Sequence, residues 1–282
     1  MSDKKLQWVR SIYGDSTNGK QWHSFIPSGG VNDLLASWHS KQEERGYNIC
    51  SPSKLYICPR VVWLATHGVP STKKMGWGKR QRLLLGKAIE NLIAQQMDDE
   101  GVLLYHWKDD FDLAGDSTLI SEEPYIEGTP DILFNMDGVV TLSDSKSARS
   151  DGMGYQPTTF EEWVKDPYNY KYFVQINAYY YLMHVNRTLL EDMMPMPEQC
   201  HVFVFALDDG IVRRDFTWKP TRENLLEVER LAEQYAKALA SPVMPPCKCK
   251  QMGLVKFCDY GTGGKVVATD CCSDNLINQV KE

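Results

Sequence analysis

No stretch of this chain is apolar for the roughly 20 residues that a bilayer crossing requires. The N-terminus, Met-Ser-Asp-Lys-Lys, leads into no apolar core of the secretory kind. Together these absences predict a cytoplasmic protein with no membrane association. Positive charge is not in excess either. Lys and Arg number 31 against 37 Asp and Glu, for a net charge of −6, so whole-molecule electrostatics give no argument for nucleic acid. Without a secretion signal, the eight cysteines are not expected to form a disulfide framework. Residues 1 to about 30 lack periodicity and read as an irregular arm.

What remains is ordinary globular composition, 43% hydrophobic and 24% charged over 282 residues, enough to bury a sizeable core. Two local biases stand out. Five cysteines (Cys247, Cys249, Cys258, Cys271, Cys272) crowd the C-terminal end, and clustered cysteines in a reducing compartment suggest metal ligation. Ser71 to Lys87 carries Lys73, Lys74, Lys79, Arg80, Arg82 and Lys87 with Trp77 among them and no acid. That mixture suits phosphate contact with stacking, or equally a solvated loop and helix start.

The most informative stretch runs from Gly128 to Lys146. Two apolar runs flank Asp137-Gly138, the strongest short-range signal for a two-residue hairpin. The turn sets Met136 opposite Val139, and counting back sets Asp131 opposite Asp144. Lys146, two residues on, projects to the same side as Asp144. Directly opposed like charges destabilise a strand pair, so a divalent cation is the natural compensation. Both faces of the hairpin are apolar, which places it inside a sheet covered by helices.

Around it, helices are predicted over Val31–Arg45 and from Lys79 to Met97, the second with Leu85, Ile89, Leu92 and Ile93 on its apolar face and Glu90 beside it. Pro59 is suited to a helix entrance. Residues 98 to 116 read as acidic and irregular, Thr118 to Ile126 as one strand, and Ala148 to Thr158 as a loop. A helix over roughly Asn169 to Leu190 puts Gln175 and Tyr179 on one face. Cys200–Leu207 and Ile211–Trp218 form a second hairpin, and Thr221–Ala240 an amphipathic helix.

In order along the chain stand Gly128-x-x-Asp131, Asp144-x-Lys146 and Gln175-x-x-x-Tyr179. With the cysteine arrangement, this series resembles the PD-(D/E)XK nuclease superfamily. The likeness is to its RecB-type branch, which includes CRISPR-associated and AddB-like members with an iron–sulfur cluster and phage exonucleases of related build. It spans about Ser53 to Cys272. It implies an α/β fold, a central mixed β-sheet flanked by helices in a restriction-endonuclease-like core over 51–240. Residues 1–50 form an N-terminal arm and helix, and the cysteine-rich tail, 241–282, joins Cys58 through a metal cluster. By the same resemblance Cys58, Cys249, Cys258 and Cys271 hold a 4Fe–4S cluster, with Cys247 and Cys272 as alternatives. Four thiolates suit structural Zn²⁺ equally.

The resemblance further implies Mg²⁺ or Mn²⁺ held by Asp131, Asp144 and the Ser145 carbonyl. Glu90 stands where the family commonly has a histidine ligand, and a carboxylate is the harder donor. Lys146 would orient or deprotonate the attacking water, and Gln175 and Tyr179 would contact the strand, with Lys79, Arg80 and Arg82 as further DNA contacts. The expected activity is metal-dependent exonucleolytic cleavage of single- or double-stranded DNA ends in recombination, repair or end processing. A recombination, helicase or CRISPR-adaptation protein would be the partner. The alternative is a catalytically inactive DNA-binding or scaffold subunit of such a complex.

Overall fold

A computed structural model describes residues 50–69, 77–107, 118–148, 157–206 and 212–254. The chain divides into two units, Met1–Gly46 and Tyr47–Glu282, and every described residue belongs to the second. The arm, the helix expected over Val31–Arg45, most of the loop after Ala148 and Cys258, Cys271 and Cys272 lie outside the described residues.

The hairpin has the expected register. β4 (Ile132–Met136) pairs antiparallel with β5 (Val139–Ala148), Met136 facing Val139 and Ile132 facing Ser143. Asp137 and Gly138 both take positive φ, 51° and 85°, as a type I′ turn requires. The Asn135 side-chain oxygen accepts from the Gly138 N–H at 2.7 Å. One rung beyond Ile132–Ser143, Asp131 stands opposite Asp144.

Three more strands, β1 (Leu103–His106), β6 (Gln199–Ala206) and β7 (Val212–Trp218), complete a mixed sheet in the order β1-β4-β5-β6-β7. β6 runs parallel to β5 and antiparallel to β7. A parallel neighbour demands a long crossover, supplied by α3 (Phe160–Lys165), α4 (Pro167–Val185) and α5 (Arg187–Leu190). α4 begins earlier than its periodicity suggests. Asp166 accepts from the Tyr168 and Asn169 N–H groups and Pro167 occupies the first turn, so the cap decides the start.

Two expectations fail. Residues 98–116 are not all irregular, because β1 (Leu103–His106) pairs with β4 at the sheet edge. Its short apolar run is masked in sequence by flanking acids. Thr118–Ile126 is not one strand but a separate two-stranded sheet, β2 (Leu119–Glu122) and β3 (Tyr125–Gly128). Pro124 cannot donate to a ladder, so the strand reverses there.

Helices cover both sheet faces. α2 (Trp77–Asp99) sets Ala94 against Ile132 and Phe134, and Ile89 against Phe205. On the other face Leu133, Leu142, Val202 and Val204 share a core with Val174, Ala178 and Leu182 of α4 and with Val228 and Leu231 of α6 (Arg222–Ala240). Thr221 and Asn224 close α6 with a reciprocal capping box. Side chains alternate along a strand, so Asp144 and Lys146 share the α4 side with Leu142.

Gly128 is needed for close approach. A Cβ there would lie 2.6 Å from Pro52 Cδ and 3.1 Å from Tyr179 Cε1. Gly128→Ala is therefore expected to destabilise the fold by about 1–3 kcal/mol through overpacking, read as a lower denaturation midpoint at unchanged slope.

Candidate functional site

Asp131 is fixed through its backbone, its carbonyl accepting from the Trp107 N–H at 3.1 Å just past β1. The strand that sequence reading missed thus anchors one carboxylate. Opposite it, Asp144 is 1% exposed. Lys146 Nζ forms an ion pair with Asp144 Oδ2, yet neither carboxylate oxygen accepts a hydrogen bond of ordinary geometry. Burial pushes the Asp144 carboxyl up to about 7; Lys146 pulls it down and Asp131 pushes it further up. An under-satisfied, desolvated carboxylate beside a second one is a donor set for a hard cation, whose charge replaces the proton.

Lys146 is sandwiched between Asp144 and an aromatic ring, with its Nζ 4.9 Å from the centroid of Tyr172. Tyr172 donates to the Tyr168 hydroxyl at 2.9 Å. Burial and then Tyr168 hold its own phenol well above the ordinary range. These tyrosines were not singled out from sequence. Spacing was the available signal, since Tyr168, Tyr172, Gln175 and Tyr179 recur at four, three and four residues along one helical face.

Gln175 and Tyr179 are brought together, Gln175 Nε2 donating to the Tyr179 hydroxyl at 3.3 Å. Both are buried, and the Tyr179 ring lies where a Gly128 side chain would be. The Gly128, Asp131 and Tyr179 motifs are therefore neighbours in space. Glu90 is also buried and contacts Lys87 Nζ at 3.3 Å. Its helix covers the sheet face opposite the one that carries Asp144 and Lys146. Lys79, Arg80 and Arg82 lie in the first two turns of α2. Ser145 stands between Asp144 and Lys146 in β5 with its hydroxyl buried.

A Ser–His–Asp series crosses the same sheet. Ser143 Oγ and His201 Nδ1 are 3.2 Å apart, and His201 Nε2 is 3.6 Å from Asp215 Oδ2. Burial lowers His201 to about 4 despite Asp215, and Ser143 is 1% exposed. A serine without access to substrate is no nucleophile, so this is a buried polar contact between strands.

A second cluster forms at the start of α1 (Pro59–Thr66). Cys58 is the N-cap residue with Pro59 behind it. The sulfurs of Cys58, Cys247 and Cys249 all lie within 4.8 Å of one another. Lys248 N–H donates to Cys58 Sγ at 3.2 Å, and Cys58 and Cys249 are 1% exposed. α1 holds the returning chain: Arg60 Nε donates to the Pro245 carbonyl at 2.8 Å and Trp63 Nε1 to the Ser241 carbonyl at 2.9 Å. Cys247, an alternative in the sequence reading, is thus a member of the triad beside Cys58 and Cys249. Cys258, Cys271 and Cys272 lie outside the described residues.

No known family model matches the chain, and no curated protein matches it. Among solved structures it is similar to SSO0001, 13% identical, over 82% of this chain and 93% of that one, at a TM-score of 0.41. A likeness so distant says nothing of what the chain does.

Proposed function

We propose that the chain is a metal-dependent deoxyribonuclease acting on DNA ends. The observation that carries this reading is the buried Asp144, its oxygens under-satisfied, facing Asp131 across the hairpin with Lys146 alongside. Those are the groups phosphodiester hydrolysis requires: oxygen donors for a cation and an ammonium close to the attacked phosphate. The motif order Gly128-x-x-Asp131, Asp144-x-Lys146, Gln175-x-x-x-Tyr179 supports it.

Asp131 and Asp144 would hold Mg²⁺ or Mn²⁺ with the Ser145 carbonyl, while Glu90 belongs to the helix on the opposite sheet face and stands apart from this set. Bound there, the ion would neutralise phosphate charge and acidify its water. Lys146, held between Asp144 and the Tyr172 ring, would donate to the developing charge or orient the water. Gln175 and Tyr179 would support the strand beside Gly128. The cysteine triad would take one more thiolate from Cys258, Cys271 or Cys272. A tetrahedral ion with bonds near 2.3 Å holds sulfurs roughly 3.8 Å apart, so sulfurs within 4.8 Å would draw in slightly to bind one, whereas a 4Fe–4S cluster requires them to spread.

The test incubates end-labelled single- and double-stranded linear DNA with the protein in Mg²⁺, Mn²⁺ or EDTA, beside Lys146→Ala. Metal-dependent shortening by wild type alone supports the reading. Binding of ends with no cleavage in either metal would instead make the chain a scaffold subunit. A recombination, helicase or CRISPR-adaptation protein would be the partner in either case. Among the described residues no helix is long and apolar enough to cross a membrane.

A further inference from the structure

Lys146 is held by two contacts of different kinds. Its Nζ pairs with Asp144 Oδ2 and lies over the Tyr172 ring, 4.9 Å from the centroid. The Lys146 side chain is 16% exposed, so water screens both contacts only in part. The carboxylate contact is the one that metal binding would weaken. Once Asp144 serves a divalent cation, its attraction for the ammonium falls, because two positive centres share one carboxylate. The ring attracts the ammonium through its quadrupole and does so whatever Asp144 holds.

The ring is itself set from the start of α4. Asp166 accepts from the Tyr168 N–H at 3.0 Å. The Tyr168 and Tyr172 rings meet edge to face, 5.4 Å apart at 85°, and the Tyr172 hydroxyl donates to that of Tyr168 at 2.9 Å. Resting on the nuclease reading of this site, we propose that Tyr172 is a positioning residue for Lys146. Its ring keeps the ammonium beside the carboxylate pair when a cation engages Asp144. Tyr172 touches none of the reacting atoms. Its hydroxyl fixes the ring against Tyr168, so phenylalanine should retain most of the effect.

The first test needs no cleavage. In protein carrying ¹³C-lysine, the Lys146 ε-methylene signal is identified by comparison with Lys146→Arg. Protons over a ring face are shifted upfield by its ring current. That displacement should be present in EDTA and persist in saturating Mg²⁺, in wild type and in Tyr172→Phe. Its absence in EDTA, or its collapse in Mg²⁺, overturns the proposal. The second test is steady-state cleavage of a labelled linear oligonucleotide in Mg²⁺. Tyr172→Leu should lower kcat on the order of tenfold and leave KM within about twofold. Tyr172→Phe should stay within about threefold of wild type in both. Wild-type kcat in Tyr172→Leu, or equal losses in the two variants, overturns the assignment. Should Tyr172→Leu melt early, the spectra of wild type and Tyr172→Phe decide alone. Failure of wild type to cut DNA in Mg²⁺ would instead sink the nuclease reading, and the EDTA spectrum would still decide whether Lys146 rests on Tyr172.

Discussion

Asp144→Asn is expected to make the metal-free protein more stable and to remove cleavage. Asparagine resembles the protonated carboxyl in size and in lacking charge. The wild-type side chain is fully buried, faces Asp131 and has its carboxyl raised to about 7 even with Lys146 beside it. A folded pKa above the unfolded value means that the neutral form is the one the fold prefers. The stability it gives is fully present below the ordinary aspartate range, near pH 4. It is lost as pH rises through about 7. At pH 8 wild type bears the whole cost, about 1.4 kcal/mol for each tenfold change in proton affinity between the folded and unfolded chain, and the variant does not. Its melting temperature should rise by about 2–4 °C per kcal/mol recovered, with the gain vanishing near pH 4. Cleavage in Mg²⁺ should fall by about three orders of magnitude or more. A variant less stable than wild type at pH 8 would mean that Asp144 is a structural ion-pair residue.

Cys58→Ser should have the second large effect. Cys58 begins α1, while Cys247 and Cys249 lie near the end of the described chain, so any metal they share closes a loop of nearly the whole core. Such a closure removes several kcal/mol of entropy from the unfolded chain, and metal binding adds directly to folding. The variant should lose its bound metal by elemental analysis and melt well below wild type, and chelation should bring wild type toward the same midpoint. Absorbance near ~400 nm in wild type would identify iron–sulfur, and its absence with stoichiometric zinc would identify a single ion. Equal metal content in Cys58→Ser would remove Cys58 from the ligand set.

The hairpin was legible because Asp137-Gly138 admits one turn type, and a two-residue turn fixes the whole register down to Asp131 and Asp144. The long helices α2 and α4 that flank it were found as well, α2 by its apolar stripe. β1 was not legible. Four residues between acidic stretches give too little alternation to read, although the chain just past them anchors Asp131. The choice of Cys247 is likewise a tertiary fact. Arg60 and Trp63 hold residues 241–245 against α1, and this brings the Cys247-Lys248-Cys249 turn onto Cys58. No spacing along the chain encodes that contact.

The claim that Asp131 and Asp144 form a cation site is tested most directly by Mn²⁺ titration in a calorimeter, with wild type and Asp144→Asn at several pH values. Wild type should bind at pH 8 and lose about tenfold in affinity for each pH unit below the point where Asp144 takes up its proton, near 7. Asp144→Asn should not bind at this site. Mn²⁺ binding in the variant with wild-type affinity would contradict the account.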